Sequence, residues 1–140
     1  MAKPSKPVRN TRQRKYMLEL LQSTKSHPNA FWLYERMRPA FPNLSLSTVY
    51  RNLNILESQG TIQRVVCGGA FERYDADTSM HSHFYCRECG SVYDIDTDDA
   101  EKKAMESAHD HPHQVEGCHI TFYGVCGNCT AKNNDKEDAL

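Results

Sequence analysis

The chain has 140 residues, 39% hydrophobic and 25% charged, with a formal net charge of −1. That is room for one ordinary domain or two small ones, and the composition is that of a folded chain, not a disordered one. Apolar runs last only a few residues and the basic start, Met1 to Lys15, has no apolar core; a membrane span is excluded, no secretory signal or membrane partner is expected, and a cytoplasmic protein is.

Residues 1–10 are polar, carry Pro4 and Pro7, and read as a mobile basic arm. A helix is predicted from Thr11, its cap, with Tyr16, Met17, Leu18, Leu20 and Leu21 on an apolar stripe. Pro28 interrupts, Asn29 caps a second helix from about Ala30 to Arg38 that buries Phe31, Leu33, Tyr34 and Met37, and Pro39 and Pro42 end it. A third helix is predicted over Ser45–Gln59. Leu46, Val49, Leu53 and Leu56 form its apolar stripe and Gly60 stops it. Its other face offers Ser47, Thr48, Arg51, Asn52 and Asn54, short polar or basic groups that can reach phosphates and base edges. Ile62–Cys67 and Ala70–Tyr74 read as a hairpin about Gly68-Gly69. Helices ending in a polar-faced one, then a hairpin, outline a winged helix-turn-helix.

Beyond Asp75 the composition changes. His83–Cys86 and Ser91–Asp96 read as short strands, Asp98 to about His109 as an acidic amphipathic helix, Val115–Val125 as a long strand with Ile120 and Phe122 on one face, and 130–140 as a frayed polar tail. Residues 1–64 carry 11 Lys/Arg against 3 Asp/Glu, whereas 65–140 carry 6 against 15. A basic module suited to nucleic acid thus precedes an acidic one suited to cations.

Four of the six cysteines form two C-x2-C pairs, Cys86/Cys89 and Cys126/Cys129. Two turns of this kind on neighbouring strands complete a tetrahedron of thiolates, so a structural Zn²⁺ is expected; two disulfides or a dithiol redox pair are the alternatives. His81-x-His83 shares one face of a strand, with Asp75 upstream and Asp94 downstream. That mixed nitrogen and oxygen set suits Mn²⁺, Fe²⁺ or Zn²⁺. His27 alone reads as structural, His109, His111 and His113 as a solvated loop, and Cys67 as a small strand residue.

Three motifs then stand in order: Ser45-Leu46-Ser47-Thr48-Val49-Tyr50-Arg51-Asn52-Leu53, His81-x-His83-x2-Cys86-x2-Cys89 and Tyr123-Gly124-Val125-Cys126-x2-Cys129. Over about residues 11–129 the chain resembles the ferric-uptake-regulator (Fur) family. The resemblance implies an α+β homodimer, with an N-terminal winged helix over 1–74, a hinge at 75–80, a C-terminal α/β dimerisation and metal-binding domain over 81–130, and a flexible tail, 131–140. It implies a regulator, in most members a repressor, that binds double-stranded DNA at a pseudo-palindromic operator and is not an enzyme. His27 and Asp75 stand where that family places two further regulatory-metal ligands, which makes a set of His27, Asp75, His81, His83 and Asp94 for Fe²⁺ or Mn²⁺. Aspartate at position 94, where iron regulators tend to carry glutamate, is similar to the peroxide-sensing (PerR) branch, in which iron-catalysed oxidation falls on a ligand histidine, here His27 or His81. A further site of many iron regulators would use Met80, Ser82, Glu101 and Cys118, of which only Glu101 suits a metal. DNA contacts are expected from Arg12, Arg14, Lys15, Ser47, Thr48, Tyr50, Arg51 and Asn52, with Arg9 on phosphate or in a minor groove. The alternatives are an iron- or zinc-status repressor without oxidation, a zinc hydrolase using His81, His83 and Asp94, and a thiol switch at the C-x2-C pairs.

Overall fold

The computed structural model describes residues 11–67 and 72–138. Residues 1–10, with Arg9, and the Gly68-Gly69 turn lie outside the described residues.

Three capped helices build the first layer. Thr11 accepts from the Arg14 N–H (3.3 Å) at the head of α1 (Arg12–Gln22), Asn29 from Trp32 (2.9 Å) at α2 (Ala30–Met37), and Ser45 from Thr48 (3.2 Å) at α3 (Leu46–Ser58). Each cap satisfies a backbone donor that the first turn leaves without an intrahelical partner. Gly60, with φ +72°, takes the chain out of α3 in a conformation glycine adopts freely. The stripes Met17/Leu21, Ala30/Leu33/Met37 and Val49/Leu53/Leu56 meet in one core, closed by Leu44, Ile62 and Tyr74. Phe31, predicted to be buried, is 42% exposed, because positions 30, 33 and 37 form the buried stripe and 31 falls off it.

The wing is short. β1 (Gln63–Val65) pairs antiparallel with β2 (Arg73–Asp75), Gln63 opposite Asp75. A second sheet follows in the order β4-β3-β5. β3 (Ser82–Cys86) pairs antiparallel with β4 (Val92–Ile95) and parallel with β5 (Thr121–Gly124). Between them runs α4 (Ala100–Ser107), shorter than the predicted 98–109. The fold is α+β, a winged helix joined to a smaller α/β unit.

Two differences have physical causes. The strand predicted over 115–125 is confined to β5. The parallel ladder starts where the His83 N–H donates to the Ile120 carbonyl (3.1 Å), and β3 is too short to pair the residues before it. The segment predicted to fray from 130 is helical instead: α5 spans Gly127–Asp138 and buries Cys129. The buried cluster of this half consists of Cys86, Cys126 and Cys129, with Phe84 and Val125 packed on it. Among the described residues no helix is long and apolar enough to cross a membrane.

Candidate metal centres

The four C-x2-C sulfurs converge. All lie within 4.8 Å of one another, with Cys86 Sγ 3.8 Å from Cys129 Sγ and Cys89 Sγ 3.8 Å from Cys126 Sγ. A tetrahedron with Zn–S arms of about 2.3 Å has edges of about 3.8 Å, so the cage fits zinc. One pair sits in the β3–β4 turn. The other lies at the start of α5 and not on a neighbouring strand as predicted, so the helix N-terminus faces these thiolates. The N–H groups of Cys89 and Cys126 pull the Cys86 thiol down to about 6, and the Cys129 N–H lowers Cys126. The hydrogen bond to Cys126, then burial, pushes Cys129 up to about 12, so the cage needs a cation to hold four thiolates.

The second centre draws on four elements. His27 lies between α1 and α2, Asp75 ends β2, His81 and His83 lie before and on β3, and Asp94 sits on β4 directly opposite His83. Asp94 Oδ1 is 2.9 Å from His27 Nε2, 3.0 Å from His81 Nε2 and 3.5 Å from His83 Nε2. Asp75 Oδ2 is 2.9 Å from His81 Nε2, 3.2 Å from His83 Nε2 and 3.4 Å from His27 Nδ1. His27, Asp75 and His83 are buried, while His81 and Asp94 form the open side. The predicted five residues are thus brought together, His27 among them, which spacing alone read as structural.

Backbone groups prepare the donors. The Asp77 N–H donates to Asp75 Oδ1 (2.9 Å), leaving Oδ2 for the cluster. His81 Nδ1–H donates to the Ser79 carbonyl (2.8 Å), which leaves Nε2 to ligate. Three imidazoles, two carboxylates and no sulfur form a donor set for Mn²⁺, Fe²⁺ or Zn²⁺, and two negative charges match a dication. Burial opposes ionisation of Asp75, but the His83 hydrogen bond, the Asp77 N–H and the flanking His27 and His81 outweigh it, and its pKa is lowered. Burial lowers His27 despite Asp75 and Asp94, keeping it neutral and ready to ligate. Burial of His81 is outweighed by the Ser79 carbonyl, Asp94 and Asp75, so its pKa is raised. A metal must therefore displace a proton from His81 that His27 does not hold. Mn²⁺ affinity is expected to fall by about tenfold per pH unit once pH drops below the raised His81 value, and His81→Ala should flatten that slope. Calorimetric titration at several pH values checks this; a slope unchanged in the variant contradicts it.

Residues 5–123 match the sequence profile of the ferric uptake regulator family.

The chain belongs to the ferric uptake regulator family.

It is 35% identical over 127 residues to the peroxide operon regulator of Bacillus subtilis, covering 91% of this chain and 88% of that one. Its fold matches the crystal structure of the Campylobacter jejuni peroxide stress regulator (TM-score 0.68, 28% identity, 84% and 88% covered). It also matches a zinc uptake regulator complexed with zinc and DNA (TM-score 0.70, 26% identity, 91% and 87% covered).

Elsewhere in this ferric uptake regulator family member the predicted residues divide. The Ser82 hydroxyl donates to Glu101, which also accepts from Thr97 (3.0 Å), while Cys118 Sγ lies 4.0 Å from Met80 Sδ. Among the described residues those four positions form no donor cluster, and neither do His109, His111 and His113, which are exposed.

Of the expected DNA contacts, Arg12, Lys15, Ser47 and Arg51 are exposed, and Thr48 and Tyr50 are half-buried. Arg14 and Asn52 need correction. Both are buried, and Arg14 Nη1 donates to Asn52 Oδ1 (3.1 Å) while Asn52 Nδ2 donates to Gln13 (3.3 Å). They brace α1 against α3 beneath the polar face. Periodicity held the signal: Arg14 continues the Met17/Leu21 stripe, and Asn52 lies between Val49 and Leu53 on theirs. Asn52→Ala is expected to cost about 1–3 kcal/mol of stability by taking a partner from buried Arg14, measured by urea unfolding. Unchanged unfolding would contradict the bracing role. Sequence reasoning also missed the Ser79 carbonyl and the Asp77 amide, since no residue-type pattern marks a backbone donor or acceptor.

Proposed function

We propose that this chain is a homodimeric, metal-dependent DNA-binding repressor that senses hydrogen peroxide through oxidation of His27 or His81. The five-residue cluster carries this function, because His27 and Asp75 lie in the helices and wing of the first half and His81, His83 and Asp94 in the second. An ion there clasps the two halves in one relative orientation. In a dimer that sets the spacing of two α3 helices for successive major grooves of a pseudo-palindromic operator. Arg51, Ser47, Thr48 and Tyr50 then read or position the duplex, and Arg12 and Lys15 hold phosphates. Arg51→Ala is expected to weaken DNA binding by about 1–3 kcal/mol and leave unfolding unchanged, the reverse of Asn52→Ala; full DNA affinity in Arg51→Ala would contradict its role. The edge strand β5 and the exposed Tyr93, Phe122 and Tyr123 support a partner copy that packs along the β4-β3-β5 sheet.

Fe²⁺ supplies redox chemistry toward peroxide when bound, whereas Mn²⁺ holds the same ligands without it. The chain's part is to keep two imidazoles, His27 and His81, in contact with that ion. A ring that has taken up oxygen is a poorer donor, so His27 no longer joins the two halves. The thiolate cage stays apart from sensing because zinc is redox-inert. Aspartate at both carboxylate positions and likeness to the B. subtilis peroxide operon regulator support this over metal-status sensing.

The test is fluorescence anisotropy on duplexes selected from a random pool by the Mn²⁺-loaded protein. Binding should require metal, and peroxide should release the Fe²⁺-loaded protein so that fresh Fe²⁺ does not restore it. Likeness to the zinc uptake regulator favours one second reading, a status repressor of iron or zinc. Full recovery on adding metal would support it and contradict peroxide sensing.

A further inference from the structure

We propose that Arg73 is a positioning residue that ties the His27 loop to the zinc knuckle and thereby sets the affinity of the five-residue cluster. This role presupposes that cluster's function as a metal site. Arg73 sits on β2, two residues before Asp75, yet its side chain faces neither carboxylate in any hydrogen bond. Nη1 donates to the His27 carbonyl (3.3 Å) and Nη2 to the Gly90 carbonyl (2.6 Å). Both acceptors have left-handed backbones, φ +52° at His27 and +74° at Gly90. Gly90 follows the zinc ligand Cys89, and its N–H donates to the carbonyl of Cys86, another ligand (2.9 Å). One planar guanidinium therefore spans from the knuckle to the loop.

The backbone of β2 reinforces it. The Tyr74 N–H donates to the Pro28 carbonyl (3.1 Å), so consecutive carbonyls, His27 and Pro28, are both held from β2. A histidine persists at positive φ only when its surroundings over-determine it, and here those surroundings are the Arg73 fork and the Tyr74 amide. The consequence is directional. With the loop backbone fixed, the buried His27 ring presents Nε2 to Asp94 and Nδ1 to Asp75. Without Arg73 the loop can relax to negative φ, and the ring swings away from both. Lysine cannot replace this, because an ammonium lacks the fork that reaches two carbonyls in one plane.

The experiment uses the full, zinc-loaded chain and Mn²⁺ as probe, in wild type, Arg73→Met, Arg73→Lys, His27→Ala and the His27→Ala/Arg73→Met double variant. Arg73→Met should keep its zinc and lose about tenfold in Mn²⁺ affinity by calorimetry, as removal of a supporting partner of a metal ligand does. Amide exchange at residues 26–29 should quicken before Mn²⁺ is added. In the His27→Ala background the same substitution should cost nothing more, because Arg73 acts through His27. Should Arg73→Met lose zinc, Arg73→Lys carries the comparison: it keeps the charge and can serve one carbonyl in place of two, and should show a smaller loss that likewise vanishes in His27→Ala. An equal loss in both backgrounds, or wild-type affinity in Arg73→Met, would overturn the proposal. Unchanged Mn²⁺ affinity in His27→Ala would overturn the cluster's metal role and this one with it.

Discussion

Replacing Cys86 with serine is expected to strip the chain of zinc and unfold its second half. Cys86 is fully buried, its Sγ accepts from the N–H groups of Cys89 (3.5 Å) and Cys126 (3.3 Å), and it touches Cys129. The other buried members of that cluster are themselves cysteines, so few apolar contacts remain when the cage opens. A structural zinc site supplies roughly 10–16 kcal/mol, and losing a third of that approaches the roughly 5 kcal/mol by which a small domain is stable. The serine hydroxyl is a poor zinc ligand, and α5, whose described side chains are otherwise exposed, has little else to hold it. Zinc content measured by atomic absorption should fall to near zero, with loss of the circular-dichroism signal of the second sheet. Cys118→Ser, by contrast, should change stability by less than about 0.5 kcal/mol. Full zinc content and an unchanged melting curve in Cys86→Ser would contradict a structural role.

The second large effect is at His27. Its removal by His27→Ala should lower Mn²⁺ affinity by more than about a hundredfold, beyond what loss of a supporting partner costs. Two carboxylates then face one fewer donor in a buried site, and water replaces imidazole poorly because His27 is the most enclosed ligand. Because metal and DNA affinities must change by the same coupling factor, stimulation of DNA binding by Mn²⁺ should disappear as well. Zinc content should stay near wild type, since His27 is not part of the thiolate cage. Retained Mn²⁺ stimulation of DNA binding in His27→Ala would contradict the clasp.

What could be read from sequence was what is local. Thr11, Asn29 and Ser45 announced three helices because a cap and an apolar stripe need no partner elsewhere. The thiolate cage was legible because each C-x2-C is a local turn. Strand length was not, because the parallel ladder beside β5 can start only where β3 begins. α5 escaped because its polar surface carries no apolar stripe; it begins inside the second cysteine pair, with Cys129 in its first turn. At Arg14 and Asn52 residue type and periodicity conflict, and burial follows the periodicity. His27 is the instructive case. It lies 67 residues from Asp94, and spacing cannot connect them; only resemblance to a family supplied that ligand before the geometry did. Arg73 had no signal at all, since its partners are carbonyls.

The most direct measurement of the central claim is peptide mass spectrometry of the Fe²⁺-loaded protein after a brief peroxide pulse, with Mn²⁺-loaded protein as control. One added oxygen on the peptide carrying His27 or on that carrying His81, present with iron and absent with manganese, is the predicted result. Unmodified histidines at saturating iron would contradict peroxide sensing by these ligands.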